Sequence, residues 1–261
     1  MIDAMNILWV MAHPDPRSLT AFLAAEGRRA LLDAGHEVEV SDLYSMGWNP
    51  VVDTTDYAHD PAERFHVAAA AKRAHGDGTL SADIRAEQDK LDRADALVVQ
   101  FPLWWFQMPA ILKGWFDRVF VQGYAYGLHA PDGRPLGYGE GFLSGKPALV
   151  VVGAGGPARF YGERGIHGTL DELLFPLLHG TLFHSGATVL PPLLVPGADR
   201  YTPEDAESAA KELRERLRTL WTTAPLPYRP QDGGDYDDER VLRPDVLPGL
   251  TGLGVHLARR P

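Results

Sequence analysis

Between residues 7 and 221, short apolar runs alternate with amphipathic helical stretches, and this alternation constrains the fold more than any other feature. Parallel neighbours in a sheet need a crossover connection, so strand–helix alternation predicts a mostly parallel sheet with helices on both faces. Residues 7–12 (ILWVMA) read as a buried strand and residues 19–32 as the helix after it, stopped by Gly35. Residues 37–41 form the second strand. An irregular stretch over 42–79 contains a helical piece at 62–74, and 81–91 is a helix with Ser81 placed to cap it. Residues 96–101 (ALVVQF), 148–152 (ALVVV) and 188–190 read as the third, fourth and fifth strands, with helices over 110–121 and 170–179. A charged helix over 203–221 presents Leu213, Leu217 and Leu220 on one face.

Five strands with these crossovers fit an α/β, flavodoxin-like, doubly wound parallel sheet of order 2-1-3-4-5, which binds ligands at the carboxyl ends of its strands. The loops after strands one, three and four then share one rim. Residues 1–221 read as one catalytic domain. Residues 222–261, rich in Pro, Gly and Asp (APLPYRP, DGGDYDD), read as a short irregular extension that packs on this domain or on a dimer partner.

Several function classes drop out. The net charge of −10 argues against a nucleic-acid partner, which would need a basic face. With no cysteine, the chain has no disulfide framework, thiolate metal site or cysteine nucleophile. Residues 1–14 are too short in apolar run and too poor in basic residues for a secretory signal. No run approaches the roughly 18 apolar residues of an integral membrane segment, so the expectation is a soluble cytoplasmic protein. His167, His179 and His184 match no zinc spacing, and Asp235, Asp237, Asp238 and Glu239 lack the EF-hand pattern, so no metal is expected. There is neither a G-x-S-x-G elbow nor a G-x-x-x-x-G-K-S/T loop.

The chemistry therefore falls to the rim loops. The first, 12–20 (AHPDPRSLT), leads into a helix N-terminus whose free N–H groups and dipole suit a phosphate, with His13, Ser18 and Thr20 as side-chain donors. Ser18 as a simple helix cap and His13 as a turn residue are the alternatives. The second, 101–109 (FPLWWFQMP), sets three aromatics between two prolines, a stiff apolar shelf suited to a flat ring or, alternatively, a core or interface cluster. In the third, 153–168 (GAGGPARFYGERGIHG), glycines allow close backbone approach, and Tyr161 and His167 could face one ring.

Read together, AHPDPRS, FPLWWFQMPAILKGWFDRVF and GGPARFYGERGIHG resemble the NAD(P)H:quinone oxidoreductase family, over residues 7–221. The resemblance implies a flavodoxin-like homodimer that binds FAD, or FMN, and reduces a quinone-like acceptor with hydride from NADH or NADPH in a ping-pong cycle. By position it implies that His13, Ser18, Leu19 and Thr20 hold the flavin phosphates. Pro102, Leu103, Trp104, Trp105 and Phe106 would cradle the isoalloxazine, and Gly155 and Gly156 would border its pyrimidine edge. Tyr161 and His167 would act during hydride transfer, and residues of the C-terminal tail or of the loop over 124–141 would reach the partner's flavin. The chain departs from the family at Gly153 and Ala154, where hydroxyl residues are usual, at His66 in place of a glutamine, and at Glu207 in place of a basic residue near the adenine. Nitro, azo or biosynthetic aromatics are alternative acceptors. An ancillary subunit of a potassium-efflux transporter is an alternative role.

Overall fold

The computed structural model describes residues 4–258; the ends of the predicted domain and of its extension, residues 1–3 and 259–261, lie outside the described residues. In chain order the main elements are β1 (Asn6–Met11), α1 (Leu19–Asp33), β2 (Glu37–Asp42), α2 (Val67–Gly76), α3 (Ala82–Arg93), β3 (Ala96–Pro102) and α4 (Ala110–Val119). Then come β4 (Pro147–Ala154), α5 (Leu170–Leu173), α6 (Phe175–Leu177), β5 (Thr188–Val189), β6 (Leu193–Pro196) and α7 (Pro203–Arg218). All strand pairs are parallel, in the order β2-β1-β3-β4-β5, with β6 also paired to β4.

The two faces of this sheet follow from the two-residue period of a strand. In β1, Ile7, Trp9 and Met11 join a core with α1 and α7, while Leu8 and Val10 join the core under α2, α3 and α4. Burial on both faces is why β1, β3 and β4 are nearly continuous apolar runs. Leu213, Leu217 and Leu220 all enter the α1–α7 core, as the helical spacing predicts. Helix α1 comes close to the sheet because Gly27 has no side chain: a Cβ there would lie 2.4 Å from the Trp9 ring.

Polar links inside the cores fix the elements that carry the rim. Trp9 Nε1 donates to Gln100 Oε1 at 3.0 Å, and Gln100 Nε2 donates to the Thr20 carbonyl at 2.9 Å, tying β1 and β3 to the start of α1. Arg118, on α4, is buried with Asp56 of the 3-10 turn Thr54–Tyr57. Its Nη2 donates to Asp56 Oδ1 at 2.6 Å and its Nη1 to Asp83 at 2.7 Å. Burial works against the charge on Arg118, but these carboxylates outweigh it and hold the guanidinium pKa above its ordinary value. The network clamps the irregular stretch between β2 and α3 onto α4. Beyond α7, the Leu226 N–H donates to the Val189 carbonyl, and Tyr228 is buried in the core that includes α4. Among the described residues no helix is long and apolar enough to cross a membrane.

Four local expectations are corrected. The helix predicted over 62–74 starts only at Val67, because the Asp60 side chain accepts from the Ala62 N–H and holds a turn that competes with helix. Ser81 does precede α3, but its hydroxyl donates to Asp83 rather than capping the helix. The single helix over 170–179 is broken at Leu174: Pro176 lacks an N–H, and Leu178–Phe183 is wound as a π-helix. Finally, the last lane of the sheet holds two strands instead of one. Pro191 and Pro192 interrupt pairing between β5, alongside Pro147 and Ala148, and β6, alongside residues 151–154.

Candidate functional site

The site is assembled where β1, β3 and β4 end. After β1, the chain turns through residues 12–18 into α1. The His13 ring is held in the turn through Nδ1, which lies 3.1 Å from the Asp15 backbone nitrogen and 3.2 Å from the Asp15 carbonyl oxygen. Ser18 caps α1 by accepting from the Ala21 N–H at 3.1 Å, so the capping alternative for Ser18 is realised. Leu19 and Thr20 are buried, and as the first residues of a helix they have N–H groups without intrahelical acceptors.

After β3, Leu103 N–H donates to the Gly153 carbonyl at 2.7 Å, pinning the second loop to the third. Trp104 and Gln107 then exchange backbone hydrogen bonds, both 3.0 Å, around a two-residue turn. The residues in that turn are Trp105 at φ 50° and Phe106 at φ 63°. A turn with positive φ at both central positions ordinarily takes Asn and Gly, and bulky side chains there are strained. The strain has a visible product: Trp105 is 93% exposed, and Trp104 and Phe106 are exposed beside it. These aromatics are therefore not a core cluster, and their exposure is compatible with either a ring site or an interface.

After β4, Gly155 passes against Asp199, where a Cβ would lie 2.1 Å from a carboxylate oxygen. Tyr161 closes the 3-10 turn Ala158–Tyr161, with its hydroxyl beside Gly156. Burial, opposed by a backbone hydrogen bond from Gly156 and reinforced by Asp199, raises the Tyr161 pKa, so the phenol stays protonated at neutral pH. The His167 N–H donates to the Phe160 carbonyl, and its ring stands 5.1 Å from Tyr161 and 4.9 Å from Phe106.

These contacts join all three loops. His13 and Trp104 have ring centres 6.5 Å apart, and a Cβ on Gly153 would lie 3.8 Å from Thr20 Oγ1. His13, Ser18, Leu19, Thr20, Pro102, Leu103, Trp104, Trp105, Phe106, Gly155, Gly156, Tyr161 and His167 thus share one rim. Sequence reasoning missed Asp199, Arg200 and Tyr201, which follow the unrecognised strand β6. Arg200 and Tyr201 line a groove of about 420 Å³ with Leu19 and Pro157, continuous with the first loop. The apolar quartet LLVP before Gly197 was the available signal. Of the two departures on helices, His66 precedes α2 without capping it, and Glu207 is engaged by Arg214.

A parallel sheet of this order, with its exposed loops gathered at the carboxyl edge, defines the flavodoxin-like class. The family model for the flavodoxin-like fold matches residues 5–220. The chain is 42% identical to the ribosyldihydronicotinamide dehydrogenase-like protein traD of Penicillium crustosum over 257 residues, 97% of this chain and 95% of that one. To NAD(P)H dehydrogenase (quinone) 1 of Rattus norvegicus it is 38% identical, over 85% of this chain and 80% of the relative. A Klebsiella pneumoniae structure described as a quinone reductase aligns with a TM-score of 0.93 and 47% identity, covering 98% of this chain and all of the other. The chain belongs to the NAD(P)H:quinone oxidoreductase family of flavodoxin-like enzymes.

Proposed function

We propose that this protein takes hydride from NADH or NADPH and passes two electrons to a quinone-like aromatic acceptor, in a ping-pong cycle at FAD held by the three-loop rim. The reading rests above all on the strained turn that holds Trp105 and Phe106 out as an exposed aromatic shelf. Strain of this kind persists where surrounding structure enforces it and gathers at ligand sites. When bound, the flavin supplies the redox chemistry, and the protein's part is to hold it, orient it and control access.

The residues fit that part. The N–H groups of Leu19 and Thr20 and the His13 ring would hold the flavin's phosphate, with Ser18 as a further hydroxyl donor. Pro102, Leu103, Trp104, Trp105 and Phe106 give the ring a flat apolar seat. Gly155 and Gly156 let backbone come close to its edge. Tyr161 and His167 are positioned donors toward negative charge that develops in the reaction, and the His167 imidazole can hold or relay a proton. The groove beside Leu19 favours a dinucleotide over FMN. Arg200 supplies the cation that Glu207 does not, and the half-exposed Tyr201 supplies a ring.

Within the same reading, residues 1–221 form the catalytic unit of a cytoplasmic homodimer. Residues 222–261 are its extension, and the loop over 124–141 borders the partner's site. The test is to release the cofactor from purified protein, identify it by chromatography, and compare the Trp105→Ala variant. FAD is expected, with retention about tenfold weaker in the variant. FMN alone would overturn the dinucleotide groove, and full retention by Trp105→Ala would move the ring site off the second loop.

A further inference from the structure

The first rim loop is anchored at both ends by one residue of β3. Where the loop begins, the Ala12 N–H donates to the Gln100 carbonyl at 3.0 Å. Where it ends, Gln100 Nε2 donates to the Thr20 carbonyl at 2.9 Å. Gln100 pairs in register with Met11, the last residue of β1, so its main chain meets that strand where the loop departs. Its side chain reaches from there to the first turn of α1. The distance between the two ends of the loop is therefore set by a single glutamine.

The amide of that glutamine has one orientation open to it. An indole nitrogen donates and does not accept, so Trp9 Nε1, 3.0 Å away, requires the Gln100 oxygen and leaves Nε2 to face Thr20. Gln100 is 2% exposed and Trp9 is fully buried, so water does not compete for either bond. The Trp9 ring also meets α1 at Gly27, where a Cβ would lie 2.4 Å from it. Gly27 stands two turns beyond Thr20, about 10 Å along the helix axis. Trp9 and Gln100 thus hold α1 at two separated points, which fixes both the depth and the tilt of its amino end.

That amino end has donors to spare. Ser18 engages two of the first four helix N–H groups, that of Ala21 with its hydroxyl and that of Phe22 with its carbonyl. The N–H groups of Leu19 and Thr20 have no acceptor within the helix. A hydrogen bond weakens steeply as it departs from linear, so the worth of these two donors to an anion depends on where the helix start is held. Among the described residues, neither the Trp9 indole nor the Gln100 amide bonds to the second or third loop. The buried pair is coupled to the phosphate-facing part of the rim and not to its aromatic shelf.

We propose that Gln100, its amide oriented by Trp9, is the positioning residue of the phosphate subsite: it aims the Leu19 and Thr20 N–H groups and so governs how tightly the phosphorylated end of the cofactor is held, without governing the hold on its ring. The inference rests on the flavin reading above. Its test is fluorescence titration of the full chain, freed of flavin, with FAD and with riboflavin, which has the ring and no phosphate. Gln100→Met should weaken FAD about tenfold, the worth of roughly one hydrogen bond to a charged group, and riboflavin by less than about twofold. Gln100→Glu is the conservative rescue. Its carboxyl, protonated in acid, can accept from Trp9 and donate to Thr20, so FAD affinity relative to riboflavin should match the parent there. It should fall as pH rises through the carboxyl pKa, which burial raises. An equal loss for both ligands in Gln100→Met, unchanged FAD binding, or a relative affinity in Gln100→Glu that ignores pH would each overturn the inference. A parent that binds inorganic pyrophosphate but no flavin would sink the flavin assignment. The tenfold loss is then expected for pyrophosphate, and equal binding by Gln100→Met would overturn the positioning role. A parent that binds neither would overturn both.

Discussion

A variant combining Tyr161→Phe with His167→Gln should be bleached by NADH or NADPH about a hundredfold more slowly than the parent, with its flavin content near normal. Removing one preorganised donor from a site of developing negative charge typically costs about 10²–10³ in rate. Tyr161 is suited to that role because burial keeps its hydroxyl protonated, and that hydroxyl sits against Gly156. His167 is wedged between Phe106, Phe160 and Tyr161, so its ring is oriented before any ligand arrives. Neither substitution touches the phosphate-facing helix start, and His167 meets the aromatic shelf only through its edge contact with Phe106, leaving Trp104 and Trp105 untouched, so retention should hold. Stopped-flow reduction under anaerobic conditions reads the rate directly. A parental rate in the double variant would remove both residues from the transfer step.

The largest stability effect is expected at Asp56→Ala, about 3–5 kcal/mol, because it leaves the Arg118 guanidinium buried without its main counter-charge. Both side chains are only 3% exposed. Arg118 also donates to the Asn49 carbonyl and lies over the Trp48 ring at 4.6 Å, so it cannot swing out to water without abandoning those contacts. Asp83 remains as a partner, but it is half open to solvent and screens the charge less well. Replacing both partners, as Asp56→Leu with Arg118→Met, should cost less than Asp56→Ala alone, since no charge is then stranded. Urea unfolding of the three proteins measures this ordering. A loss under about 1 kcal/mol for Asp56→Ala would mean the guanidinium finds water after all.

The sheet order was legible because β1, β3 and β4 are buried on both faces and show it as nearly continuous apolar runs, interrupted in β3 only by Gln100. What escaped was set by proline and by tertiary contact. Pro191 and Pro192 hide the continuity of the last lane, and Pro176 breaks a helix whose apolar spacing looks regular. The rim residues could be named from their places after strands, yet the strained turn at Trp105 and Phe106 could not, because neither residue advertises a positive φ. The meeting of Gly155 with Asp199 joins loops from different strands.

The central claim is that the three-loop rim is a flavin site working between a reduced nicotinamide and a quinone. Its most direct test is the visible spectrum of the purified protein, recorded anaerobically before and after NADH or NADPH, and again after a naphthoquinone. The account predicts a yellow protein that bleaches with the nicotinamide and recovers its colour with the quinone. A colourless protein that takes up neither added FAD nor added FMN would contradict it.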